Sequence, residues 1–277
     1  MLFKSLETIT LDKVKREKAK FILRSILPIP EKTVNMISSA GGMGKTFLSI
    51  RLASEFVKEN NQKALCWFSE DHQGEIGLRF DTLADGMMVD EKTQSMITLI
   101  NSEPKQFAIK ENGTFRANYE ALKGITEDCI ANDIRLLIID PLLAFYGGDE
   151  NDNSQARIFM QPFVDWAKRQ DITIIFIHHS NKNGGSTRGA GAFRDAVRTL
   201  YELNYVLDEN DEIDFSKKDR GIRQVTLSKD NRNAFYWFEK LYNSGITELK
   251  ILPSRIKVEC TDYVPSYESA EMPDMEF

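Results

Sequence analysis

Cysteine is scarce in this chain: Cys66, Cys129 and Cys260 are the only three in 277 residues, far apart and without a CxxC pair. That spacing encodes neither a disulfide framework nor a cysteine zinc site. Histidine is equally thin, with three residues of which two are adjacent, which argues against a His-rich metal centre. No apolar run reaches the roughly 18 to 20 residues that span a bilayer. The first residues carry Glu7 and Asp12 and lack the apolar stretch of a signal peptide. A cytoplasmic protein with no membrane partner is expected. Nor is there a surplus of positive charge, since 36 basic residues face 42 acidic ones. Glu259, Asp262, Glu268, Glu271, Asp274 and Glu276 account for the difference, lying in residues 259–277 with no Lys or Arg among them. Residues 1–258 are therefore formally neutral, which argues against a basic coat for nucleic acid and leaves room for a grip through a few loops.

What is present is an alternation of short apolar runs with amphipathic stretches. Residues 33–38, 64–69, 96–100, 134–140 and 172–178 read as buried strands, the runs LLIID and ITIIFI being almost wholly apolar and β-branched. Residues 46–60, 73–85, 119–132 and 154–170 read as helices between them. Strand and helix in turn predict an α/β fold with a mostly parallel sheet and crossover helices. After about Leu200 the pattern predicts strands over 200–207, 223–228, 234–241 and 246–252, pairing antiparallel at the far side of the same sheet. One domain is expected over residues 29–258. Ahead of it, residues 1–28 read as a basic helical arm, with Lys13, Lys15, Arg16, Lys18, Lys20 and Arg24 on a helix over 6–27 that Pro28 and Pro30 end. Such an arm either packs on its own core or docks on a neighbouring subunit. Residues 259–277, with two prolines, many acids and no core pattern, have the composition of a disordered tail.

Ser39-Ala40-Gly41-Gly42-Met43-Gly44-Lys45-Thr46 follows a predicted strand and opens a predicted helix that continues through Phe47. A phosphate-binding loop requires that context. Glycines free to take positive φ turn successive N–H groups towards phosphate oxygens, and the helix N-terminus adds its dipole. Lys45 would reach the β- and γ-phosphates of a nucleoside triphosphate, and the Thr46 hydroxyl would ligate Mg²⁺. The consensus loop begins with Gly, whereas this one begins with Ser39. Asp140, at the tip of LLIID, stands where open α/β sheets bind ligands and would be the second metal-linked group. Glu70, at the end of ALCWFSED, would orient or deprotonate an attacking water.

These three elements in this order, followed by IIFIHHSNK and SKDNRN, resemble the RecA-like P-loop ATPases, and within them the hexameric replicative helicases of the plasmid RepA type. The shared features are the Ser-x-Gly-Gly-x-Gly-Lys loop, the Ser-Glu-Asp after the second strand and the double His. The resemblance covers roughly residues 30–240. It implies ATP as substrate, Mg²⁺ as cofactor, Glu70 as catalytic base, and His179 as the group that contacts the γ-phosphate and relays its loss to a DNA loop. His178 before it is structural on this reading. The segment 180–192 resembles the channel-facing loop of ring helicases, in which Lys182 and Arg188 would meet the backbone of single-stranded DNA. Lys229-Asp230-Asn231-Arg232 resembles the Lys-x-Arg that reaches into a neighbour's site, but its spacing is one residue too long. Lys229 carries over more directly, with Arg232 and Arg223 as rivals for the arginine. The implied activity is a ring ATPase, a hexamer, moving on single-stranded DNA. The acidic tail would either compete with DNA for the basic loops or dock on a replication partner. The alternatives are a recombinase-like or repair-associated DNA-binding ATPase, and a regulatory RecA-like ATPase that does not act on DNA.

Overall fold

The computed structural model describes residues 10–14, 18–87, 89–100, 102–179 and 191–252. Lys182, Arg188 and the acidic residues 259–277 lie outside the described residues. In chain order the elements are β1 (Phe21–Ile22), β2 (Ile29–Pro30), β3 (Val34–Ser39), α1 (Lys45–Asn60), β4 (Lys63–Phe68), α2 (Gln73–Met87), α3 (Glu91–Ser95) and β5 (Ile97–Ile100). A hairpin of β6 (Ala108–Glu111) and β7 (Thr114–Ala117) follows, then α4 (Tyr119–Ala131), β8 (Ile134–Asp140), α5 (Asn153–Arg169) and β9 (Thr173–His179). The chain continues through α6 (Gly191–Ala196), β10 (Thr199–Asn204), α7 (Phe215–Asp219), β11 (Ile222–Asp230), α8 (Ala234–Tyr242) and β12 (Ile246–Lys250).

Eight strands form one sheet in the order β12-β11-β10-β3-β9-β8-β4-β5. The six from β10 to β5 run parallel. At the other side β11 and β12 run antiparallel. The central strands are buried on both faces because their side chains alternate between two cores. Leu137 and Ile139 of β8 and Ile174 and Phe176 of β9 point to the face covered by α4, α5 and α6. Leu136, Ile138, Ile175 and Ile177 point to the face covered by α1, part of α2 and α8. This is the α/β architecture that the alternating pattern predicts, with its antiparallel strands where the later pattern placed them.

Three local readings are corrected. The helix expected over residues 6–27 is absent from its described part, which holds a single 3-10 turn at Leu11–Lys13 and then β1 paired with β2. Phe21, Ile22, Leu23, Ile26, Leu27 and Ile29 are all buried, a run too continuous to form one face of a helix. Polar contacts fix the segment: the Tyr201 hydroxyl donates to the Pro28 carbonyl at 2.7 Å and the Tyr242 hydroxyl to the Ile26 carbonyl at 2.7 Å. The strand expected over 234–241 is helix α8. Its aromatic residues favour a strand by propensity, but Ala234 and Phe238, four apart, are the buried pair, while Phe235 and Tyr236 are exposed. Finally, the β6–β7 hairpin was not anticipated, although its turn holds Asn112 and Gly113, both at positive φ, a strong hairpin signal.

Candidate nucleotide site

Adjacent parallel strands deliver the chemistry to one sheet edge. β3 ends at Ser39 and runs into the glycine-rich loop, β9 ends at His179, β8 ends at Asp140, and β4 leads to Glu70 two residues past its end. Ser39 and His179 are register partners, as are Phe68 and Asp140. The Ser69 N–H donates to the Asp140 carbonyl at 2.9 Å, which holds the β4 exit against β8. The phosphate-loop strand and the Asp140 strand are thus separated by one inserted strand, β9, whose last residue lies between them.

Within the loop Gly42 has φ +75° and Gly44 φ +92°. These are backbone conformations that residues with a Cβ adopt at a cost. Gly44 is the N-cap of α1 and supplies no capping side chain, so the first-turn N–H groups look to an outside acceptor. Ser39 ends β3 buried, its hydroxyl donating to the Ala40 carbonyl at 3.0 Å. Met43 is buried, while Gly41 and Gly42 face outward. Phe47 lines the cavity beside Thr46.

Lys45 is buried, and its Nζ donates to the carbonyls of Ser39 at 3.2 Å and Ala40 at 2.9 Å. It also lies 3.3 Å from His179 Nδ1. As an ammonium Lys45 donates here and Nδ1 accepts; the other ring nitrogen, Nε2, lies 4.0 Å from Glu70 Oε1. Burial lowers the Lys45 pKa, against the pull of Asp140 and Glu70. Asp140 accepts from the Thr46 hydroxyl at 3.2 Å. Burial pushes its carboxyl up to about 7, with Lys45 and Thr46 acting downward and Glu70 and Asp71 upward. His178 is buried with its ring 5.8 Å from that of Phe193, a packing position.

The cavity between these groups has a volume of about 310 Å³, about that of a small-ligand site. A larger groove of about 750 Å³ lies between α4 and α5, but none of its charged lining side chains is buried. Thr46 and Asp140 fit Mg²⁺: both present hard oxygen donors, and a cation would offset the burial that raises Asp140. Among the described residues no three His, Cys, Asp or Glu side chains gather into a metal site of their own. Phosphate oxygens and water would complete such an ion's shell.

Three cavity residues escaped the sequence reading. Asp71 forms an ion pair with Arg79 of α2, and the Arg79 guanidinium lies 5.8 Å from the Phe47 ring centroid. The Ser-Glu-Asp motif pointed to Asp71, but nothing in spacing pointed to Arg79. Leu252 lies over Gly44, where an added Cβ would come within 2.7 Å of its Cδ2. Only the return of the chain after β12 brings it there.

Lys229 and Arg232 lie elsewhere. The pairs Thr199↔Asp230 and Leu200↔Lys229 put them at the end of β10 opposite to Leu203↔Ser39. At 3.3 Å per residue that is about 10 to 13 Å from the loop edge. Lys229 Nζ donates to the carbonyls of Arg194 at 2.6 Å and Asp195 at 2.9 Å, on α6. Its pKa is lowered, first by burial and then by Arg198 and Arg194, against the opposing pull of Asp195. Arg232 is exposed, with its N–H on Asp230. Arg223 is buried, donating to the carbonyls of Lys218 and Ile222 and lying 4.9 Å from the Tyr205 ring centroid. That rules it out as a group reaching out of its own chain.

A parallel sheet with this loop, strand-end acid and inserted strand defines a RecA-like P-loop ATPase. The chain belongs to the AAA domain family, whose family model matches residues 9–185. That span includes the loop, Glu70, Asp140 and His179. No curated protein matches the chain. Among the described residues no helix is long and apolar enough to cross a membrane.

Proposed function

We propose that the protein is a Mg²⁺-dependent ATPase that assembles as a six-membered ring and couples hydrolysis to movement along single-stranded DNA, as a replicative helicase of plasmid or phage type. The observation that supports this reading best is the placement of His179. It sits between Lys45 at 3.3 Å and Glu70 at 4.0 Å, and the next residue opens the segment that carries Lys182 and Arg188. One side chain therefore touches both the phosphate-binding lysine and the candidate base while standing at the root of the candidate DNA loop.

In this reading the loop N–H groups and Lys45 hold the triphosphate, and Glu70 orients the attacking water and accepts its proton. Thr46 would hold Mg²⁺, with Asp140 linked to it, and the bound ion would neutralise phosphate charge. The Lys229 edge, crowded with Arg194 and Arg198 and flanked by Arg232, faces away from its own nucleotide and is suited to a neighbour's phosphates. The decisive experiment is strand displacement by wild type against Glu70→Gln, with ATPase measured with and without single-stranded DNA and mass measured by light scattering. A six-subunit particle whose hydrolysis rises with DNA and whose unwinding is lost in Glu70→Gln is expected. Basal hydrolysis by a monomer, indifferent to DNA, would sink the proposal in favour of a regulatory ATPase.

A further inference from the structure

At the sheet edge away from the nucleotide lies a cavity of about 740 Å³ whose lining includes Lys18, Lys20, Lys32, Lys168 and Arg232, with Glu31 as its one acid. Lys18, Lys20, Lys32, Lys168 and Arg232 are all exposed. Asp171 pairs with Lys32 at 2.8 Å, which leaves the groove and its rim with five cations against two carboxylates. This positive concavity stands out in a chain of net charge −6. It draws on four separate pieces of chain: the approach to β1, the turn before β3, the end of α5, and the loop between β11 and α8.

We infer that this groove is the docking surface for the chain's own acidic segment, residues 259–277. Charge is the first argument, since the segment holds six carboxylates and no Lys or Arg. Reach is the second. Leu252 lies at the loop edge, and the six residues of β3 separate the two edges by about 20 Å. The acids fall 7 to 24 residues beyond Leu252, within an extended span of roughly 23 to 80 Å. Tethering then supplies an effective concentration on the order of millimolar, so weak ion pairs acting together suffice. The lining contains no aromatic ring, and a groove without a stacking platform is less suited to unpaired bases.

Zero-length carbodiimide cross-linking of the full-length chain, read by peptide mass spectrometry, tests this. Cross-links should join Lys18, Lys20, Lys32 or Lys168 to carboxylates of 259–277 and should fade as salt is raised. Acids linked only to Lys182 or to other lysines outside the groove, or not linked at all, overturn the inference. The double variant Lys20→Gln with Lys168→Gln alters two exposed side chains and leaves the core alone. It should lower the yield of the remaining cross-links several-fold with an unchanged circular dichroism spectrum. Removing residues 259–277 should raise the acetylation rate of the four groove lysines several-fold, and an unchanged rate overturns the inference. A single-stranded oligonucleotide that shields those lysines equally well with and without 259–277 also overturns it, because the groove would then belong to nucleic acid.

Discussion

Lys45 and Asp140 bring a base and an acid into one buried pocket, and burial disfavours Asp140 in its ionised form. Its carboxyl, raised from 3.8 to about 7 by burial, keeps its proton in the folded chain over a range where the unfolded chain has lost it. The folded chain therefore binds more protons in that window, and stability falls as pH rises from about 4 to about 7. Asp140→Asn removes this penalty. In the nucleotide-free protein the variant should gain thermal stability relative to wild type as pH rises from 5 to 8, while losing hydrolysis; a constant difference across that range would show that Asp140 is ionised throughout. Two further substitutions should separate binding from chemistry. Lys45→Ala should lose nucleotide binding, whereas Glu70→Gln should still bind ATP and lose turnover by about 10²-fold or more, as read by equilibrium binding and single-turnover hydrolysis. The cysteines make a plainer case. Burial pushes the Cys66 and Cys129 thiols up to about 12, so neither should be alkylated near neutral pH until the chain unfolds.

The elements vary in how directly the sequence announces them. α1, α4 and α5 were legible because burial on one face imposes a period on them, and five of the six parallel strands because their runs are largely apolar. The phosphate loop was legible too, because its glycines, lysine and threonine follow one another in sequence. Arg79 and Leu252 were not, since each reaches the cavity through tertiary packing: Arg79 by its pairing with Asp71 and Leu252 by the return of the chain after β12. α8 was misread for a related reason, its aromatic composition pointing one way and its buried pair Ala234 and Phe238 the other. Packing also sets the cost of change. Phe159 of α5 meets the rings of Tyr146, Phe163, Phe176 and Phe193, and Phe159→Ala should cost about 3–5 kcal/mol in urea unfolding. Gly44→Ala combines a φ of +92° with a contact at 2.7 Å to Leu252. It should lower stability by roughly 1–3 kcal/mol and weaken nucleotide affinity, and Leu252→Ala in the same chain should recover part of the loss.

For the molecule as a whole, the two edges of the sheet carry different equipment, one a nucleotide cavity and the other the cations Lys229, Arg194, Arg198 and Arg232. If those cations act on a neighbour, chains that are each inactive should complement one another. Mixing Lys229→Ala chains with Lys45→Ala chains should restore part of the hydrolysis, because some interfaces then pair an intact loop with an intact Lys229. No recovery from mixed, assembled particles would confine Lys229 to its observed role of holding α6. The register pair Ser39↔His179 has a further consequence, for how the chain tolerates insertion. Successive residues of β9 belong to opposite cores, so a single residue added between Ile175 and Phe176 would turn Phe176 and Ile177 to the wrong faces. It would also carry His179 past the end of Ser39 and out of reach of Lys45. Loops elsewhere can lengthen at little cost, whereas the count of residues in this strand is a fixed measure between core and chemistry.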